Sequence, residues 1–92
     1  MLELKVIHEN SKSIEFEVKD LDVSVLYILQ KILYEDKRVA MAAFKQSHPV
    51  LKNITFWLEV NEGNPREILV EACKKAVFLI NNFKGEIVKA LG

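Results

Sequence analysis

The chain has 92 residues, half of them hydrophobic and 28% charged, and its 13 basic residues balance 13 acidic ones. That length fits one domain spanning residues 1–92, and the cancelled charge argues against a free-standing nucleic-acid binder, which needs a basic excess to neutralise phosphates. The lone Cys73 excludes an internal disulfide, no apolar run approaches the ~20 residues of a membrane span, and the opening MLELKVIHE is too charged for a signal peptide, so a cytoplasmic protein is expected.

Leu2, Leu4 and Val6 alternate with Glu3 and Lys5, which predicts a half-buried strand over Leu2 to Ile7. Glu9 to Lys12 is polar turn material, and Ile14, Phe16 and Val18 then alternate with Glu15, Glu17 and Lys19. The short connection predicts an antiparallel hairpin with one wet face. Either Asp22 or Ser24 is placed to cap the next helix, Val23 to Tyr34. On that helix Val25, Leu26, Ile28, Leu29, Ile32 and Leu33 fall within an arc of about 160°, the expected sheet-facing stripe. Tyr27 and Tyr34 project on nearly the opposite side, between Gln30 and Lys31.

Val39 to Lys45 reads as a third strand, with Val39, Met41 and Ala43 on one face and Ala42 and Phe44 on the other. A loop is expected from Gln46 to Asn53, where Pro49 holds His48 extended. Ile54, Phe56, Leu58 and Val60 alternate with Thr55, Trp57 and Glu59 in the clearest strand of the chain. Asn64-Pro65-Arg66-Glu67 then supplies a cap, a first-turn proline and an acidic third position for a helix reaching about Leu91. Ile68, Leu69, Ala72, Cys73, Ala76, Leu79, Ile80, Phe83 and Ile87 form its main stripe. Val70, Val77 and Val88 widen that stripe and Phe78 lies outside it. Asn81, Asn82 and Gly85 are positions where the far end could kink or fray. The order β-β-α-β-β-α predicts an α+β two-layer sandwich, a four-stranded antiparallel sheet with both helices on one face. The helix layer carries more apolar surface than one small sheet can cover, which marks an interaction surface.

Catalytic chemistry finds little support. His8, His48 and Cys73 are the only soft metal ligands and none is spaced as a pair, so no metal, cofactor or small-molecule substrate is expected. Cys73 falls on the apolar stripe and reads as a buried structural thiol. Trp57 points outward from its strand, a position shared by solvated edge aromatics and contact residues. His48 lacks an orienting carboxylate or second histidine nearby in sequence, as a general base would need. Lys74-Lys75 reads as a solvated helix face, and Asn61 to Asn64 has too few glycines for a phosphate loop.

The run Val39-Ala40-Met41-Ala42-Ala43-Phe44 followed by Gln46-Ser47-His48-Pro49 resembles the V-x-F-A-A-Y-x-x-x-H-P segment of the archaeal RNA polymerase subunit L family. That family is related to the eleventh subunit of eukaryotic polymerase II and to the amino-terminal domain of the bacterial alpha subunit. Element order and length agree along the whole chain. Before the first helix the family carries D-H-T-L-x-N-L-L; here Asp22 matches the Asp, Ser24 stands for the Thr, and Ile28 and Leu29 match the paired leucines. Val23 replaces the His and Tyr27 the Asn, so no polar contact of the family is carried to those two positions. Asp22, Ser24, Phe44, His48 and Pro49 are thus the motif-bearing residues.

The resemblance implies a non-catalytic assembly subunit of a nucleotidyltransferase, DNA-directed RNA polymerase. It would pair with a larger D-type subunit of similar fold through the helix layers, making a platform for the large catalytic subunits, with no direct sequence-specific nucleic-acid contact. Leu26, Tyr27, Tyr34, Val70, Val77, Phe78 and Val88 are the expected partner-facing residues. Two alternatives stand beside this reading. The same element order resembles pterin carbinolamine dehydratase, although Ser47 holds the place of the first histidine in that enzyme's His-His-Pro motif. A homodimeric binding module would bury the same surface symmetrically.

Overall fold

A computed structural model describes residues 3–48 and 53–92, the side chains of residues 47 and 48 excepted. The elements run β1 (Leu4–Glu9), β2 (Ser13–Lys19), α1 (Val23–Tyr34), β3 (Val39–His48), β4 (Asn53–Val60) and α2 (Pro65–Leu91). The strands form one antiparallel sheet in the order β1-β2-β4-β3. Both helices lie on one face, α1 along β3 and α2 over β4 and β2. The predicted architecture holds in every layer.

Burial follows the alternation in β2 and β4, whereas β1, expected to be half-buried, is exposed at every residue. Ile14, Phe16 and Val18 of β2 and Ile54, Phe56, Leu58 and Val60 of β4 are buried beneath Leu26, Leu29, Ile32 and Leu33 of α1 and Ile68 and Ala72 of α2. Phe44, Phe56 and Phe16 stand in register across three strands. Their rings stack, with centroids 6.1 Å apart for Phe44–Phe56 and 5.4 Å for Phe16–Phe56. Pairs of this kind contribute beyond area burial.

Three β-bulges depart from the sequence pattern. The register slips between Val6 and His8, between Val39 and Met41 and between Gln46 and His48. Each inserts one residue and turns what precedes it to the other face. Val39 therefore pairs with Val60 and packs on the core, rather than sharing the outer face with Met41 and Ala43. At the third bulge the β3–β4 ladder continues past Lys45, so Gln46 to His48 are strand where a loop was expected. Residues 49–52 of that loop and Leu2 lie outside the described residues, and Asn53 opens β4.

Helix ends are set by polar side chains. Asp22, not Ser24, is the cap of α1, its carboxylate accepting from the Ser24 N–H at 2.9 Å. That bond, with a second from the Ser24 side chain, lowers the Asp22 pKa. Asn64 caps α2 by accepting from the Glu67 N–H at 3.0 Å, and Pro65 occupies the first turn. The turn into α2 needs Gly63, whose φ of +81° is costly for a residue with a Cβ.

Two α1 side chains close the free edge of β3. The Ala42 N–H donates to the Tyr34 hydroxyl at 3.1 Å, and Gln30 Nε2 donates to the Ala42 carbonyl at 2.8 Å. These groups would otherwise offer a pairing template to another strand. Tyr34→Phe should cost about 1 kcal/mol in urea unfolding and speed amide exchange at Ala42. Unchanged exchange there would mean that the edge is closed by something else.

Arg38 ties the α1–β3 turn to α2. It meets Asp36 at 2.7 Å and Glu71 at 2.8 Å. The Asp36 carboxyl is pushed down to about 2 from its ordinary 3.8, first by the side-chain hydrogen bonds from Arg38 and then by the Arg38 N–H. A carboxylate with a depressed folded-state pKa adds stability above its unfolded pKa and loses it as pH falls through the folded one. Part of the acid unfolding between about pH 4 and about pH 2 should therefore belong to Asp36. Asp36→Asn should flatten that limb of a denaturation series without altering the curve near neutrality beyond a constant offset.

Candidate subunit interface

The last helix is too long for its sheet. Its 27 residues extend roughly 40 Å, whereas the eight residues of β4 extend roughly 27 Å. Pro65, Ile68 and Ala72 are buried, and Leu69 and Ala76 are partly so. Beyond Ala76 every residue is exposed, although the apolar stripe runs on through Leu79, Ile80, Phe83 and Ile87 to Leu91. These side chains continue the face that packs on the core, with no sheet left beneath them. Among the described residues, large apolar side chains left exposed outnumber the buried ones. Exposed apolar side chains gathered along one helix stripe of a small chain mark a candidate interaction site.

The seven residues expected at a partner interface divide. Val70, Val77, Phe78 and Val88 are exposed on α2. Leu26 is corrected: it is 2% exposed and lies in the core, because it belongs to the sheet-facing stripe of α1. Tyr27 and Tyr34 are more than half exposed but do not face away from the sheet. The Tyr27 ring meets Phe44 edge-on, with centroids 4.9 Å apart, and Tyr34 closes Ala42. The flank of α1 carrying Tyr27, Gln30 and Tyr34 looks down on the edge of β3, while Val25 and Ile28 are left exposed.

Leu79, Ile80, Phe83, Ile87 and Leu91 were missed as candidates because their stripe predicted burial against this chain's own sheet. Helix length against strand length was the signal that could have found them. Cys73 is likewise corrected. The residue is exposed rather than structural, although neighbouring atoms crowd its sulfur enough to push the thiol pKa up.

Of the motif-bearing residues, Asp22, Ser24, Phe44 and the His48 backbone serve the frame, and Pro49 lies outside the described residues. Asp22 caps α1 with the Ser24 N–H, Phe44 packs against the core, and the His48 backbone closes β3 opposite Asn53. Arg66 and Glu9 brace the start of α2 against β1 with two hydrogen bonds of 2.7 and 2.6 Å. The side-chain bonds from Arg66 are the main cause of a lowered Glu9 pKa. Among the described residues no group of three or more His, Cys, Asp or Glu is placed to hold a metal ion. No helix among them is long and apolar enough to cross a membrane.

A small sheet with an unfinished helix layer defines a protein completed by a second subunit. Residues 13–86 match the family model described as the RNA polymerase Rpb3/Rpb11 dimerisation domain. The chain belongs to that family, and it is a small assembly subunit of a DNA-directed RNA polymerase. It is similar to DNA-directed RNA polymerase subunit Rpo11 of Methanothrix thermoacetophila, 24% identical over 98% of this chain and 99% of the relative. Subunit Rpo11 of Thermoplasma acidophilum is 29% identical over 78% of this chain and 65% of its own. Among solved structures, DNA-directed RNA polymerase subunit L from Thermoplasma acidophilum superposes with a TM-score of 0.84 at 26% identity, covering 98% of this chain and 89% of that one. The dehydratase alternative finds no support in these likenesses.

Proposed function

We propose that the chain, acting as one L-like domain, is the smaller half of an obligate heterodimer. Its partner is a larger D-type subunit, and the pair forms the platform on which the catalytic polymerase subunits assemble in the cytoplasm. The observation that carries this reading is the apolar stripe of α2 running on past Ala76 without cover. Obligate interfaces resemble a core cut in half, and this stripe has the composition of the core it extends. Membership in a family described as a dimerisation domain supports it.

Co-expression with the D-type subunit from the same organism, followed by native mass spectrometry, tests it. A one-to-one heterodimer is expected, together with self-association or poor solubility of the chain alone. A well-behaved monomer that ignores the D-type subunit would overturn the reading. A stable dimer of identical chains that persists in the presence of that subunit would replace it with the homodimeric module.

A further inference from the structure

The outer face of the sheet, turned away from both helices, is divided by charge. Towards one end Lys5 stands opposite Glu17, and Thr55 and Lys45 complete the row. Opposite charges placed in this way favour each other. The next row is His8, Glu15, Trp57 and Ala43, and beyond it come Ser13, Glu59 and Met41. Neither of these two rows contains a lysine or an arginine. Lys12, in the hairpin turn, gives its ammonium to the Asn61 carbonyl at 2.9 Å. Among the described residues neither Glu15 nor Glu59 takes part in a salt bridge. The two acids are diagonal neighbours, roughly 7 Å apart at the backbone, so their charges oppose each other. Trp57, the only tryptophan of the chain, pairs with Glu15 and lies two residues before Glu59. It is half-buried, and Ala43 beside it is too small to cover the ring. A cleft of about 450 Å³ opens here, with His8, Glu15, Met41, Trp57 and Glu59 among the residues that line it.

The wet face of an antiparallel sheet is ordinarily polar throughout. An indole ring beside two uncompensated carboxylates is complementary to a cation with a flat face. A guanidinium has that shape: it stacks on the ring and donates to two carboxylates at once. An ammonium is a compact, strongly hydrated point charge without a plane to stack. The source of the cation is a chain other than the D-type subunit, because that subunit is assigned the helix layer on the opposite side of the sheet. The large catalytic subunits are the remaining neighbours in the assembly. We propose that the outer face of the sheet seats an arginine-bearing segment of a large polymerase subunit, its guanidinium lying on Trp57 between Glu15 and Glu59. This inference rests on the heterodimer reading above.

The test uses the immobilised heterodimer, and the large catalytic subunits from the same organism are the probe. Glu15→Gln/Glu59→Gln removes both charges at constant size. Trp57→Leu keeps an apolar side chain and removes the ring, and Glu17→Gln alters the acid that faces Lys5. Affinity for the large subunits should fall about tenfold or more in the first two variants and be unchanged in the third. The loss in the double variant should shrink as salt is raised. One-to-one pairing with the D-type subunit should survive in all three, since the helix layer is untouched. Full affinity in both the double variant and the Trp57 variant would overturn the seat and leave the heterodimer standing. A loss confined to one of them would mean an occupant that uses the ring or the charges alone, and tighter binding by the double variant would mean an acidic occupant; either result overturns the arginine seat. So would an unaltered heterodimer that holds no large subunit. Failure of the unaltered chain to pair with the D-type subunit would overturn both readings.

Discussion

Replacing Phe83 or Val77 by glutamate should abolish pairing with a D-type subunit while leaving the isolated chain as stable as before. Phe83 is 64% exposed and Val77 58% exposed. Neither makes a contact on which this fold depends, and surface substitutions of that kind usually change stability by no more than about 0.5 kcal/mol. In a heterodimer the balance reverses. Losing the buried aromatic costs about 2 kcal/mol, and placing a carboxylate in the same apolar seat costs at least about as much again. Together these reach about 4 kcal/mol, or about a thousandfold in Kd. Pull-down or native mass spectrometry reads the loss of pairing, and urea unfolding of the isolated chain reads its stability. Loss of both at once would mean that the overhang contributes to the monomer fold, contrary to its exposure. Retention of both would place the partner on another face.

Those two residues also show how the sequence speaks about this interface. The alternation in β2 and β4 was legible because each strand has one dry face, and period two records that directly. The α2 start was equally legible, since Asn64, Pro65 and Glu67 act within a single turn. What periodicity cannot say is which apolar surface does the covering. Phe83 and Ile68 lie on one stripe by spacing, yet Ile68 is buried by this chain and Phe83 is left bare. A helical projection gives directions around an axis but not the point at which the sheet ends.

The same limit explains the tyrosines. Leu26 turns inward as its place on the sheet-facing stripe requires. Angular position does not contain the fact that the tyrosine flank of α1 borders the edge of β3, where Tyr34 accepts from the Ala42 N–H. Bulges are harder still. One inserted residue at Ile7 moves Glu9 to the face where Arg66 awaits it, and nothing in the local composition announces the slip. The resemblance over Val39 to Pro49 is independent of such details, because it depends on residue identity along a segment rather than on register.

Phe56→Ala should unfold the isolated chain, and pairing should partly restore it. Phe56 is 0% exposed and central to the aromatic row, with Phe16 stacked on one side and Phe44 on the other. Removing a buried phenylalanine costs about 3–5 kcal/mol through lost transfer energy and the cavity left behind. Stabilities of about 5–15 kcal/mol are usual for whole domains, with small chains at the low end. Here the margin is narrower, because much of the apolar surface of α2 contributes nothing to the monomer. A partner that binds only the folded form adds stability in proportion to the logarithm of its concentration over Kd, about 2.7 kcal/mol at a hundredfold excess. The variant should therefore lose cooperative unfolding and near-ultraviolet signal when alone, yet recover a heterodimer when co-expressed, at reduced yield. Phe83→Glu should show the opposite pattern, folded alone and unpaired when co-expressed. That crossed outcome separates the core that the chain completes by itself from the one that it shares. If both variants behaved alike, the division between the two at Ala76 would be wrong.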